Sequence, residues 1–221
     1  MSLLFLDVAD SIHREIVANW HVGSNSDTYC SPAVAYTSPS PTQNTVEVKA
    51  TGESGDGESD MACVQFSTFA RFLCQLPTRS RVTVSGQFLP LGTMQILARK
   101  KSWWLDHPGS ARCKLYGKMG VSCLKQDGSL RFGHNPAWQV LSSVVRTAEG
   151  DANESSTRIV APEVLDWAHH WTSSDDVRPT DTLAVRVEFL LEARTNAGGW
   201  FRADFNGNHC GLNAPFVTVG Y

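Results

Sequence analysis

An all-β fold, an antiparallel jelly-roll β-sandwich, is what this sequence predicts, and three observations carry the prediction. About a dozen short apolar or alternating runs are separated by turn signals, the pattern of sandwiches and barrels. Alternation is strict in several of them, clearest where Leu183, Val185, Val187, Phe189 and Leu191 occupy every second position. No succession of strand and long amphipathic helix repeats along the chain, which excludes a parallel βα architecture.

The elements follow in order. Leu3-Leu4-Phe5-Leu6 reads as a strand at the very start. Asp7 is a candidate N-cap, and Val8, Ile12, Ile16 and Trp20 recur every fourth residue, which predicts a short N-terminal helix ending at Trp20. Residues 1–20 are therefore expected to form an N-terminal strand and short helix, and residues 21–221 a single β-sandwich domain. A polar turn, Val22 to Asp27, and a Ser-, Pro- and Thr-rich loop, Ser31 to Thr42, come next. Thr45 to Ala50 alternates, with Val46, Val48 and Ala50 on one face. Thr51 to Asp60 reads as a solvated loop. Its acids Glu53, Asp56, Glu58 and Asp60 serve solubility, since its glycines lack the order of a calcium loop. Met61 to Leu73 is a denser apolar run, a buried strand or two, ended by Pro77. Arg81 to Phe88 alternates again, with Val82, Val84, Gly86 and Phe88 inward, and Met94 to Ala98 is another short strand. Leu115 to Leu124 leads through Asp127-Gly128, a hairpin signal, into Leu130 to Phe132. Trp138 to Val145 is a strand, Thr147 to Thr157 a polar loop, and Pro162 to Trp171 a helical turn with Pro162 at its first position. The Leu183 strand turns back through Asn196 to Gly199 into Trp200 to Phe205. Asn206-Gly207 is a further type I′ signal, and Phe216 to Tyr221 closes the domain.

Composition bounds the function. Hydrophobic residues make up 42% and charged residues 19%, with a formal charge of −3, which describes an ordinary globular chain. That charge gives no basic face for nucleic acid. No basic n-region or cleavage site flanks the first apolar run, and no window approaches the roughly 20 apolar residues that span a bilayer. Synthesis in the cytosol without membrane insertion is the expectation. Six cysteines, at 30, 63, 74, 113, 123 and 210, include no C-x-x-C pair, so zinc-ribbon and thioredoxin chemistry are excluded. Buried free thiols are expected in preference to disulfides.

Catalytic constellations fail on spacing. Glu188 and Glu192 lie four apart on the outward face of the Leu183 strand, about 13 Å apart. Glycosidase carboxylates work at about 5 Å for retention and up to about 9.5 Å for inversion. Arg186 on the same face points to surface ion pairing instead. His169-His170, near Asp166, Asp175 and Asp176, lacks H-x-x-x-H spacing, and neither His134 nor His209-Cys210 has a partner at ligand spacing. No G-x-S-x-G elbow and no Gly-rich phosphate loop exists. No metal and no cofactor is expected. Asp204-Phe-Asn-Gly-Asn208 alternates oxygen-bearing side chains, but a hairpin at Asn206-Gly207 is preferred to a calcium loop. Asn153-Glu-Ser155 matches a glycosylation acceptor of little weight without a leader.

The aromatic load, seven Trp and ten Phe, is high for this length, and exposed aromatics are one way a sandwich grips sugars. Trp103-Trp104 lies in the polar stretch Lys100-Lys-Ser-Trp-Trp-Leu-Asp-His107, where consecutive strand residues face opposite ways. Trp200 shares parity with Arg202 and Asp204. Trp103, Trp104 and Trp200, with Asp204 and Asn206 as polar neighbours, are the candidate carbohydrate or partner contacts. Packing explains each aromatic equally well.

The unit Gly120-Val-Ser-Cys-Leu-Lys-Gln-Asp-Gly-Ser-Leu-Arg131, the tryptophan-bearing loop Trp167 to Trp171, Val185-Arg-Val-Glu-Phe-Leu190 and the return to Asn206-Gly207 resemble a concanavalin-A-like sandwich. The opening, MSLLFLD and the segment ending in Trp20, is similar to the start of bacteriophage virion proteins with such lectin-like domains. Asn213-Ala-Pro-Phe-Val-Thr-Val-Gly-Tyr221 is similar to the last strand of jelly-roll carbohydrate-binding modules. The first two resemblances imply a non-catalytic structural protein of a phage capsid surface, tail or fibre, made in the host cytoplasm and located in the virion. Its partners would be other virion proteins, copies of itself and a cell-surface glycan. A carbohydrate-binding module of a cellular protein is the alternative, and a polysaccharide-cleaving enzyme ranks last.

Overall fold

The computed structural model describes residues 3–6, 13–21, 30–31, 34–40, 45–56, 60–100, 108–149, 152–161, 163–164, 171–205 and 211–221. Among the described residues there are sixteen strands, numbered in chain order, and no helix, so none that could cross a membrane. One sheet of nine strands contains β1 (Leu3–Leu6), β4 (Val34–Ser40), β5 (Thr45–Glu53), β7 (Thr83–Ala98), β11 (Glu154–Val160), β12 (Glu163–Val164), β13 (Trp171–Thr172), β15 (Trp200–Phe205) and β16 (Gly211–Gly220). A second sheet of seven contains β2 (His13–His21), β3 (Cys30–Ser31), β6 (Met61–Cys74), β8 (Ser110–Leu124), β9 (Leu130–His134), β10 (Gln139–Thr147) and β14 (Thr182–Asn196). All described pairings are antiparallel except the short β3–β6 contact. The fold is an all-β jelly-roll sandwich.

The seven-stranded sheet runs β10-β8-β14-β6-β2, with β9 continuing the β8 edge. β14 is its centre, matched residue for residue by β8 on one side and β6 on the other. The reason is legible in its pattern. Leu183, Val185, Val187, Phe189, Leu191 and Ala193 are buried inward at every second position, while Arg186 and Glu192 stand on the other face. In the nine-stranded sheet β7 is the spine. Its 16 residues hold β16 and then β15 along one side, and β13, β12 and β11 along the other. The two inner faces meet in one core, in which Phe201, Phe205, Met94 and Ile96 of the larger sheet pack with Leu115, Met119, Leu183 and Leu191 of the smaller.

Several elements differ from expectation. The expected loop Ser31 to Thr42 contains β4, β5 continues to Glu53 into the expected solvated loop, and the expected polar loop Thr147 to Thr157 already belongs to β11 from Glu154. No N-terminal helix spans Val8 to Trp20. His13–His21 is β2, paired along β6 from His13–Leu73 to His21–Gln65, and residues 7–12 lie outside the described ones. A spacing of four satisfies a strand as well as a helix, because it is a multiple of two. The open side of β6 then supplies partners for the β2 backbone groups that face it and a tertiary surface that an isolated short helix lacks. The expected helical turn after Pro162 is also absent where described. Glu163–Val164 and Trp171–Thr172 are extended and hydrogen-bond to β7. The runs at Arg81–Phe88 and Met94–Ala98 are one continuous strand.

The β14–β15 turn shows local strain. Gly199 N–H donates to the Asn196 carbonyl at 3.1 Å, and both central residues have positive φ, 48° at Ala197 and 77° at Gly198. This is the type I′ requirement. Left-handed backbone costs a non-glycine residue about 1–2 kcal/mol. Glycine returns about 0.4–1 kcal/mol of that to the unfolded chain as entropy. Ala197→Gly is therefore expected to raise stability by about 0.5 kcal/mol, read from the denaturation midpoint in urea.

Cys63, Cys74, Cys113 and Cys123 are free thiols. Cys74 and Cys123 both lie opposite Leu183, on the two sides of β14. Two strand spacings, about 10 Å, exceed the roughly 7 Å a disulfide allows. Burial pushes the Cys74 and Cys113 thiols up to about 12, so neither is a nucleophile at neutral pH.

Candidate functional site: a groove on the outer face of the seven-stranded sheet

The outer face of this sheet is not flat. Gly120 on β8 stands opposite Arg186 on β14, and Ser122 stands opposite Ala184. Small side chains at these successive outward positions lower the floor. The β8–β9 turn and residues 133–135 rise beside it. The turn is held by Lys125 N–H on the Ser129 carbonyl at 2.8 Å and by Asp127, which accepts from the Ser129 amide at 2.9 Å. Gly128 supplies its positive φ of 81°. The result is a groove of about 710 Å³, a size suited to a small ligand or a segment of a chain. Its walls mix the amides, hydroxyl and imidazole of Gln75, Gln126, Asn135, Thr182 and His134 with the ammonium of Lys125 and with apolar Leu124 and Leu130. Burial lowers the pKa of His134, which keeps its imidazole neutral near pH 7.

A chain of charges runs from the groove across the face. Glu188 takes Lys118 Nζ on one oxygen at 2.9 Å and Arg186 Nε on the other. Lys118 in turn sits 4.7 Å above the ring of Trp138, a cation–π contact. Further along β14, Tyr116 donates to Glu192 at 3.1 Å, and the Gln65 amide donates to its other oxygen at 3.3 Å. Burial first, and then the charge of Glu192, raise the Tyr116 phenol above its ordinary value. Glu188 and Glu192 thus stand on one strand and one face, with both oxygens of each occupied. Neither is set up as an acid and base pair across a scissile bond. Among the described residues no three His, Cys, Asp or Glu side chains are grouped to hold a metal ion.

The residues singled out from sequence lie elsewhere. Trp200 and Asp204 share the outer face of the nine-stranded sheet, since Phe201, Ala203 and Phe205 between them point into the core. Trp200 is half-buried between Glu53 and Leu97 in register, and Asp204 accepts from Arg202 at 2.9 Å. They stand two positions apart along that face, roughly 13 Å, and so do not converge on one point. Trp103, Trp104 and Asn206, as well as His169 and His170, lie outside the described residues. Lys118, Trp138 and Asn135 escaped the sequence reading, which weighed His134 only as a metal ligand, because β8, β9 and β14 are brought together only by pairing. The sole local signal was the glycine at 120 on the outward face of an alternating strand.

A two-layer jelly-roll sandwich with a groove on one outer face is the class of protein these features define. No family model and no curated protein matches the chain. Among solved structures it is similar to the family 11 carbohydrate-binding module of a Clostridium thermocellum cellulosomal cellulase, at 10% identity, 96% and 95% coverage of the two chains and a TM-score of 0.18. It is also similar to bacteriophage CBA120 tailspike protein 4, at 8% identity and a TM-score of 0.20, covering 95% of this chain and 20% of the tailspike. A third is the infectious bursal disease virus Gx strain, at 8% identity, 90% and 40% coverage and a TM-score of 0.16.

Proposed function

We propose that this chain is a non-catalytic jelly-roll component of a phage particle, on the capsid surface, tail or fibre, whose outward task is adhesion to a glycan. The observation that carries the adhesion half is the groove over Gly120. Beside apolar side chains and Lys125, its walls include neutral donors and acceptors of the kind that hydroxyl-rich ligands need, and the carboxylates at and beside it are consumed by internal pairs. Such a surface binds without doing chemistry. A cellular carbohydrate-binding module would use the same surface.

Assembly into a particle is favoured by one flank of the sandwich. β10 and β9 end the smaller sheet and β11 ends the larger one, beside each other. These edge strands expose Leu130, Val140, Val145 and Ile159, the last at 76%. Open edges with exposed apolar side chains are templates for pairing with another chain.

Gly120→Tyr tests the adhesion half. A Cβ at Gly120 meets nothing closer than the His134 carbonyl at 3.4 Å, so the ring fills the groove without disturbing the sheet. Glycan binding by the full chain on an array is expected to fall at least about tenfold, about 1.4 kcal/mol, with the thermal midpoint unchanged. Equal binding by both proteins would exclude the groove. Peptide mass spectrometry of density-banded particles tests the virion half, and recovery only among free soluble proteins would transfer the role to a cellular module.

A further inference from the structure

At the far end of the same face, Arg112 on β8 and Arg194 on β14 stand directly opposite each other in register, and both are exposed. Lys114 lies at the next outward position, opposite Glu192. Glu192 is already engaged by Tyr116 and Gln65. On the flanks of the arginine pair stand Val145 of β10 and Cys63 of β6, neither of them a carboxylate. Among the described residues neither arginine nor Lys114 makes an ion pair, and Glu192 is the one carboxylate beside them on this face.

This arrangement works against the fold. Like charges directly opposite on neighbouring strands repel. It also runs against the composition, since three cations cluster here in a chain whose formal charge is −3. Each guanidinium carries a planar fork of N–H donors that can hold a carboxylate or sulfate by two bonds at once, and the register brings two such side chains onto one face. Arg194 and Arg186 of the groove are eight residues apart on β14, about 26 Å, and both stand on the outer face. An extended chain lying along β14 spans both.

We propose that Arg112 and Arg194, supported by Lys114, form an anion subsite for the carboxylate or sulfate groups of an acidic polysaccharide whose neighbouring sugars occupy the groove. The proposal rests on the glycan-binding function above and names its ligand class.

The test uses the full chain on a panel of uronate-containing, sulfated and neutral glycans, alongside an Arg112→Gln/Arg194→Gln variant. The expected result is binding to acidic members that weakens at least tenfold between 50 and 500 mM NaCl. The double variant should lose at least tenfold on those members while keeping its binding to neutral ones. Its thermal midpoint at low salt should rise, because the repulsion is gone, which shows that the variant is folded. The uronate and sulfated members report which anionic group is preferred. Binding by the native chain to neutral glycans alone would overturn the subsite and leave the groove standing. Acidic binding unchanged in the double variant would overturn it as well, and binding to no glycan would overturn both proposals together.

Discussion

Replacing Asp181 by alanine is expected to cost about 3 kcal/mol of folding stability, because it leaves a sheltered arginine without its counter-charge. Asp181 is 1% exposed at the start of β14. Its carboxylate accepts two bonds from the Arg131 guanidinium, at 2.7 and 3.1 Å, and one from the Arg178 amide at 2.8 Å. These contacts tie β9 and the Arg178–Asp181 turn to one point beside the groove. The Arg131 guanidinium, helped by the Arg178 amide, holds the Asp181 carboxyl below its usual range. The sign of the pH effect follows. The unfolded chain takes up this proton first as pH falls, so the contribution is complete above the ordinary aspartate value near 4 and fades as pH drops through the lowered folded value. His134 acts in the same direction at higher pH. Its folded pKa is lowered by burial, so its share of stability is complete above about 6.5 and declines below that. Thermal midpoints measured from pH 7 to pH 2 should show both declines in the native protein, and Asp181→Ala should lack the lower one.

Phe201→Ala is the second large effect, a loss of about 4 kcal/mol. Phe201 is 1% exposed, at the centre of the core between β5 and β7. The backbone around it is shaped to its ring. A Cβ added at Gly52 would meet that ring at 2.5 Å, so the glycine exists to let the phenylalanine in. Removing the ring leaves a cavity that a two-sheet core closes poorly, since both walls are hydrogen-bonded sheets. Denaturation in urea should show the loss in the midpoint with an unchanged slope. A loss below about 1 kcal/mol would mean that the inner faces collapse onto the space.

Residues that alternate along one strand were readable without coordinates. The Leu183–Leu191 series, the Asp127-Gly128 turn, the Asn196–Gly199 turn and the shared face of Trp200, Arg202 and Asp204 all stand as expected, because each depends on neighbours in sequence. Cys74 and Cys123 illustrate the limit. Their separation was decided by β14 lying between them, and no spacing in the sequence states that.

The sequence by itself determined the fold class, the inward faces of the long strands and the wide spacing of Glu188 and Glu192 on β14, since these follow from period-two patterning and residue spacing. Only the tertiary structure decided that His13–His21 is a strand, because the open side of β6 supplied its hydrogen bonds where the local pattern served both states. Only the tertiary structure built the groove and the arginine pair, because Gly120 meets Arg186, and Arg112 meets Arg194, through the register of strands far apart in sequence. Such a register is set by the buried faces of β8 and β14, and the outward residues are carried into place by it.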